Sequence, residues 1–238
     1  MKTLDQSYAE PAMNLACDEI LLNEVDSNQR EATLRFWEPQ SPFVVIGYGN
    51  NIHSECLIES CRRNNIQILR RISGGGTVLQ ARGCLNYSLI LPINDEFGTK
   101  NINSTNCHIM KTHQMAFNKA LNNNVTIEGH TDLALDGLKF SGNAQKRTKN
   151  ALVFHGTFLL NLEIKLLDLS LKMPSLEPKY RKGRSHHNFC RNIPVSAIST
   201  KKLIKKTWDA QGIANPVDDK KIEELTITKY TQKKWIYR

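Results

Sequence analysis

The stretch Arg70-Arg71-Ile72-Ser73-Gly74-Gly75-Gly76-Thr77-Val78-Leu79 constrains this chain more than any other. Three consecutive glycines are costly to order, because each surrenders more backbone freedom than any other residue. A plain tight turn ahead of a strand usually needs one glycine or two. The triplet therefore predicts a loop at which backbone comes within contact distance of a ligand and offers it bare N–H donors. Arg71, beside it, is suited to hold a carboxylate or phosphate through two parallel hydrogen bonds. The pattern is not G-x-G-x-x-G and no Walker lysine follows, so the common nucleotide-fold fingerprints are excluded.

The segments around the triplet alternate between strand and helix character. Residues 12–25 carry Met13, Ala16, Cys17, Ile20 and Leu21 at helical spacing after Pro11. TLRFWEP and FVVIGYG read as strands closed by Pro39 and Gly47, SECLIESCRRNN as a short helix capped by Ser54, and IQILRRI as the strand feeding the triplet. CLNYSLILP alternates as a strand, and residues 104–121 form a second long helix. DLALDGLKFSG predicts two strands around an Asp136-Gly137 hairpin turn. LVFHGTFLLNL is a strand pair or one long bent strand, and the chain beyond Glu163 is helix-rich. No linker-like stretch divides these elements, so the expectation is one α+β domain over residues 1–238, with mixed, largely antiparallel sheets flanked by helices.

Composition narrows the function classes. With 32 Lys+Arg against 23 Asp+Glu, the net charge of +9 calls for an anionic partner or a solvated basic surface. Basic residues cluster only at RKGR and KKLIKK, without interleaved aromatics, which argues against nucleic acid. Six cysteines lie scattered without a CxxC pair, so neither a disulfide scaffold nor a zinc finger is expected. The N-terminal residues lack an apolar targeting core, and no apolar run reaches the ~18 residues of a membrane span. The expectation is a soluble protein of the reducing cytoplasm.

Lys139, just past the Asp136-Gly137 turn, precedes the small-residue run Ser141-Gly142-Asn143-Ala144, which again lets a ligand approach the backbone. Asp132 adds a carboxylate that could hold a cation or orient a ribose. His155, among apolar neighbours in FHGTF, reads first as a core histidine. Ser185-His186-His187 with Cys190 has HxxC spacing but recruits no further ligand, so no metal site is expected. Cys84 is a nucleophile candidate or a packed strand residue. No Ser/His/Asp triad can be assembled from the sequence.

With RRISGGGTV, DGLKFSGNAQ and FHGTFLLN in this order, the chain resembles the lipoate–protein ligase A family, within the biotin/lipoate ligase and acyltransferase superfamily. NLACDEILL is similar to that family's opening helix, FWEPQSPFVVIGYGNN to its second segment, and GRSHHNFCRNI to the segment after its lysine region. KKWIYR is similar to the point where the family's catalytic domain closes. The resemblance implies ATP with Mg²⁺, and lipoate or octanoate as the acid to be activated. It also implies an acidic lipoyl carrier domain as protein substrate, a natural partner for the basic chain. Lys139 becomes the catalytic lysine, contacting the acyl carbonyl and the α-phosphate. Arg71, Ser73, Gly74, Gly75, Gly76, Thr77, Val78 and Leu79 line the substrate and ATP site, together with Asp132, Ser141, Gly142, Ala144 and His155. Val78 and Leu79 would wall an apolar tunnel for the C8 chain.

Two departures bear on activity. Many family members read His-Asp-x-Gly-Asn after the glycine strand, where this chain has Gln80-Ala81-Arg82-Gly83-Cys84. Larger ligases also continue past the WIYR point into a small accessory domain. The expectation here is the catalytic domain alone, with any accessory domain supplied by a separate protein. Two other readings are an octanoyl or lipoyl acyltransferase between carriers, using Cys84 with its pKa lowered by Arg82, and a non-catalytic carrier-binding assembly factor.

Overall fold

The computed structural model describes residues 1–238. Its strands are β1 (Lys2–Asp5), β2 (Thr33–Trp37), β3 (Phe43–Ile46), β4 (Gln67–Arg70), β5 (Val78–Gln80), β6 (Cys84–Pro92), β7 (Val125–Glu128), β8 (Asp132–Leu135), β9 (Leu138–Arg147) and β10 (Ala151–Leu159). Seven of them form one sheet in the order β1-β2-β6-β10-β9-β8-β7, and three form a smaller one, β4-β3-β5. Only the β1–β2 and β3–β4 pairs are parallel. The helices are α1 (Pro11–Asp26), α2 (Ile52–Glu55), α3 (Ile58–Arg63), α4 (Ile102–Leu121), α5 (Lys165–Ser170), α6 (His186–Phe189), α7 (Ala197–Thr207), α8 (Asp219–Leu225) and α9 (Lys233–Ile236). The expected α+β class with largely antiparallel sheets is the one observed.

The central strand β6 shows why the large sheet is covered on both faces. Leu85, Tyr87, Leu89 and Leu91 point to one side, where Ile109, Met110 and Phe117 of α4 and Ile204 of α7 complete the core. The alternating positions Ser88 and Ile90 point to the other, toward α1. Helix α1 is buried around most of its circumference, because the segment after Ala214 packs over its outer side with Val217, Ile222 and Tyr230. A third cluster, including Val44, Ile46, Cys56, Cys61 and Leu79, fills the space behind the small sheet.

Asp136 and Gly137 both adopt positive φ, at 53° and 72°, and join β8 to β9 in the expected hairpin. LVFHGTFLLNL resolves into the single long strand β10. The helix read at SECLIESCRRNN is instead two short ones. Asn51, not Ser54, caps the first, its side chain accepting from the N–H groups of His53 and Ser54. The break has a tertiary cause: Cys56 bridges to Leu171 and the Leu57 N–H bonds to the Ser170 carbonyl. No helix is long and apolar enough to cross a membrane.

Candidate active site

The glycine loop leaves β4, crosses above β9 and re-enters the small sheet at β5. Arg70 and Arg71 build it from opposite sides. Arg70 is fully buried and donates to the carbonyls of Gly47, Tyr48, Asn50 and Ile236, anchoring the neighbouring loop and the C-terminal segment. Arg71 donates through Nε to Ser73 Oγ (2.9 Å) and through Nη2 to the carbonyls of Gly74 (2.6 Å) and Gly76 (2.7 Å). Its Nη1 reaches the Val45 carbonyl at 3.3 Å. The guanidinium expected to grip a ligand anion is thus engaged mainly in shaping the loop. Burial lowers its pKa to about 10, still far above neutrality, so it remains a fixed positive charge beneath the loop.

Arg71 thus ties up two of the loop's carbonyls. The N–H groups of Gly74, Gly75, Gly76 and Thr77 donate to no protein acceptor. Gly75 has a φ of 85°, which explains one glycine. Gly74 and Gly76 have no such φ, and a methyl group on either would meet no protein atom within 4 Å. The fold itself therefore does not require glycine at 74 or 76.

Below the loop runs a buried polar chain that sequence reasoning did not assemble. Ser73 Oγ lies 2.6 Å from His155 Nε2, and His155 Nδ1 lies 3.4 Å from Asp18 Oδ2. An ionised Asp18 accepts only, so the ring N–H at Nδ1 faces it, and Nε2 shares its hydrogen bond with the Ser73 hydroxyl. Ser88 donates to the same Asp18 oxygen at 2.7 Å, and Arg35 Nη1 meets Asp18 Oδ1 at 2.5 Å. Burial alone would raise the Asp18 carboxyl, but Arg35, His155 and Ser88 outweigh it and hold it below the ordinary value. The order Ser-His-Asp looks like a hydrolytic triad, yet Ser73 is fully buried and its oxygen already accepts from Arg71. It works as a brace between α1, β10 and the glycine loop. The signals available were charges inside apolar runs, Asp18 in NLACDEILL and Arg35 in TLRFW.

Lys139 stands across β9 from this brace. A bulge places it there: the step from Lys139 to Ser141 opposes the single step from Ala134 to Leu133, so Phe140 is the extra residue. Phe140 drops into the core, and Lys139 joins the face of Gly142 and Ala144. Lys139 Nζ bonds Asp132 Oδ1 at 2.8 Å, and the Tyr180 hydroxyl donates to Asp132 Oδ2, also at 2.8 Å. The ammonium lies directly over Gly142, where a methyl group would sit 2.7 Å from Nζ. Ala144 lies opposite Gly75 and pairs with His155 on β10. Contacts tie Arg71, Ser73, the glycine loop, Ala144 and His155 together, and Gly142, Lys139 and Asp132 continue along the same strand face, which marks the space between the glycine loop and β9 as the candidate cleft.

Other expectations are corrected. Leu79 faces the cluster behind the small sheet, since Val78 and Leu79 are consecutive strand residues and must face opposite sides; only Val78 turns toward the large sheet. Ser141 also turns away, its hydroxyl accepting from the Asn143 amide, which itself reaches toward α4. Past Val78 the cleft floor is polar. Gln80 donates to Thr157, Thr157 to Asn86, and Asn86 back to Gln80, at 2.6–2.9 Å. Cys84 is buried among apolar side chains, which pushes its thiol up to about 12, and Arg82 is exposed and bonded to the Gln40 carbonyl, so it does not activate that thiol. No group of three or more His, Cys, Asp or Glu side chains is placed so that it could hold a metal ion. His186 Nε2 lies 3.0 Å from the Lys172 carbonyl.

Comparison with known proteins places this cleft in context. The chain is 27% identical to lipoate–protein ligase 1 of Staphylococcus aureus, over 98% of this chain and 72% of that protein. It is 24% identical to the octanoyltransferase LipM of Oceanobacillus iheyensis, over 94% and 88%. Across the first four ligases it matches, it spans between 43% and 72% of their length. Two solved structures share the fold at low identity. One is a lipoate-protein ligase A bound with ATP (TM-score 0.84, 20% identity, 99% of this chain and 98% of the other). The other is from a bi-partite lipoate protein ligase of Thermoplasma acidophilum studied with its E2 lipoyl domain (TM-score 0.79, 21% identity, 99% and 95%). Residues 10–211 match the model of the lipoyl protein ligase A/B catalytic domain, and the chain belongs to that family.

Proposed function

We propose that this chain activates lipoate, or octanoate, with ATP and transfers the acyl group to a lysine of an acidic lipoyl carrier domain. One observation carries the reading. Gly74 and Gly76 are required neither by backbone conformation nor by any protein neighbour, and the four consecutive N–H groups of residues 74–77 have no protein acceptor. Such a row of donors over a fixed cation suits carboxylate and phosphate oxygens.

The chemistry follows from that placement. A carboxylate oxygen of the acid attacks the α-phosphorus of ATP, a C–O–P linkage forms and pyrophosphate leaves. Two anions must meet, so the loop N–H groups and the Lys139 ammonium neutralise the charge that accumulates. The carrier's ε-amine then attacks the acyl carbon, the C–N bond forms, and AMP departs with the former carboxylate oxygen. Lys139 polarises the acyl carbonyl and stabilises the leaving phosphate. Mg²⁺ would supply further phosphate neutralisation, and with Asp132 the only carboxylate bonded to Lys139, it fits as an ion brought in on the phosphates. The net charge of +9 suits an acidic carrier in the cytoplasm.

The octanoyltransferase reading rests on the better length match to LipM. It needs a reactive thiol, and burial pushes Cys17 up to about 11 and Cys56 and Cys84 up to about 12, and raises Cys61 and Cys190. Cys107, the exposed one, lies on α4, on the far side of the large sheet. A carrier-binding assembly factor without turnover would not need Lys139 and an open row of N–H donors together.

Intact mass of a lipoyl carrier domain, incubated with this chain, lipoate and Mg·ATP, or with synthetic lipoyl-adenylate, tests the proposal. Lipoylation in both tubes, abolished by Lys139→Ala, is the result expected of a chain sufficient for both steps. Lipoylation from the adenylate alone assigns the adenylation step to a separate accessory protein, as in a bi-partite ligase. Modification in neither tube overturns the ligase reading.

A further inference from the structure

The Lys139 ammonium is held by a carboxylate that is itself held, and the second holder comes from a distant part of the chain. Tyr180 lies 48 residues beyond Asp132, in the strap of residues 174–189 between α5 and the end of α6. Its ring packs on Phe189 at 5.0 Å, with the Arg181 and Arg184 guanidiniums 4.7 Å and 5.3 Å from the same Phe189 ring. Arg184 Nη2 donates to the carbonyls of Tyr180 and Gly137, tying the strap to the β8–β9 turn. Just past Phe189, Cys190 forms a parallel bridge with Lys139, and the Arg191 N–H donates to the Lys139 carbonyl at 2.9 Å. The strap and the residues just past it therefore hold Lys139 twice, once through its backbone and once through Asp132.

We propose that Tyr180 is a positioning residue for acyl transfer: by donating to Asp132 Oδ2 it turns Oδ1 onto Lys139 and fixes where the ammonium points. This rests on the reading of Lys139 given above. An ammonium has three donors, and one spent on Asp132 leaves two for the acyl carbonyl and the phosphate. Without Tyr180 the carboxylate rotates freely, and the ammonium loses the single orientation that serves both atoms at once. Burial first, then the Asp132 charge, pushes the Tyr180 hydroxyl well above the ordinary phenol value, so it stays a donor throughout. The aromatic and guanidinium packing holds the ring independently of the hydroxyl, so Tyr180→Phe removes the bond and leaves the strap in place.

The test is a double-mutant cycle on transfer from preformed lipoyl-adenylate to a lipoyl carrier domain, with Tyr180→Phe, Asp132→Asn and the pair. Tyr180→Phe is expected to lower kcat about tenfold, within the range of a hydrogen bond to a charged group, with KM for the carrier unchanged. In the Asp132→Asn background it is expected to have no further effect, because its route to Lys139 is already cut. Multiplicative losses, a KM effect alone or an unaltered kcat would overturn the positioning role. Lys139→Ala, measured alongside, separates the two claims. Activity surviving in Lys139→Ala overturns the reading of Lys139 itself, whereas an inactive Lys139→Ala beside a fully active Tyr180→Phe overturns only the inference about Tyr180.

Discussion

Two ion pairs flank the cleft, Arg35–Asp18 and Lys139–Asp132, and they differ in almost everything but their charges. The Arg35 and Asp18 side chains are 0% and 5% exposed, and Arg35 is bonded as well to Asn14 and to the Gln6 carbonyl. Lys139 and Asp132 are 25% and 14% exposed, and Lys139 has no other protein hydrogen bond in reach of its ammonium. A fully buried pair is a structural joint, expensive to break from one side even though Arg35 Nε itself finds no partner. A partly exposed pair with donors left over is less costly to split and can redirect those donors to a ligand. The brace through His155 and Ser73 connects the first pair to the glycine loop, so the rigid pair supports the loop, while the looser pair is the one proposed above to act on the ligand.

Splitting the pairs is the largest effect expected. Arg35→Leu leaves Asp18 buried beside Ser88 and His155 alone and should cost about 3–5 kcal/mol of unfolding free energy. Lys139→Ala should cost clearly less than Arg35→Leu, since its pair keeps some contact with solvent, while abolishing transfer. Urea unfolding of both variants beside the wild type measures the contrast; equal destabilisation would remove the distinction between joint and tool.

Acid sharpens the same comparison from the buried side. His113 on α4 accepts from the Trp208 indole through Nε2, and burial lowers its pKa to about 3. The unfolded chain, with an ordinary imidazole near 6.5, binds a proton that the folded chain refuses. Between that value and about 3, stability should therefore fall with decreasing pH by about 1.4 kcal/mol per unit. Asp18, held below its ordinary value, adds loss in the same direction only below the ordinary carboxylate range. Unfolding free energies across this window, for wild type and His113→Gln, are expected to show a slope that the variant flattens. A flat wild-type profile above pH 4 would place the acid-sensitive element elsewhere.

How much of this was written in the sequence follows from how local each feature is. The glycine triplet, the Asp136-Gly137 hairpin and the long helices depend on neighbours in the chain, and each was readable. Lys139 could be singled out by its small-residue neighbours, but the Phe140 bulge that turns it onto the face of Gly142 depends on how β8 pairs, which no local pattern records. Leu79 was misread because the strand β5 has one face in the cleft and the other against the cluster of Val44 and Cys61. Cys84 looked available because its burial comes from residues up to 87 positions away, Leu171 among them. Asp18, Arg35 and Tyr180 escaped for the same reason: their partners lie 17 to 137 residues distant.

The glycine row over Arg71 is proposed as a seat for an acyl-adenylate. Calorimetric titration with a non-hydrolysable lipoyl-adenylate analogue tests it most directly, on wild type and on Gly76→Ala, whose methyl group meets no protein atom within 4 Å and so should leave folding intact. Binding at one site per chain, weakened about tenfold or more by Gly76→Ala at unchanged thermal stability, is the predicted result, a loss of about 1.4 kcal/mol or more. Equal affinity in both proteins, or no binding by the wild type, would contradict it.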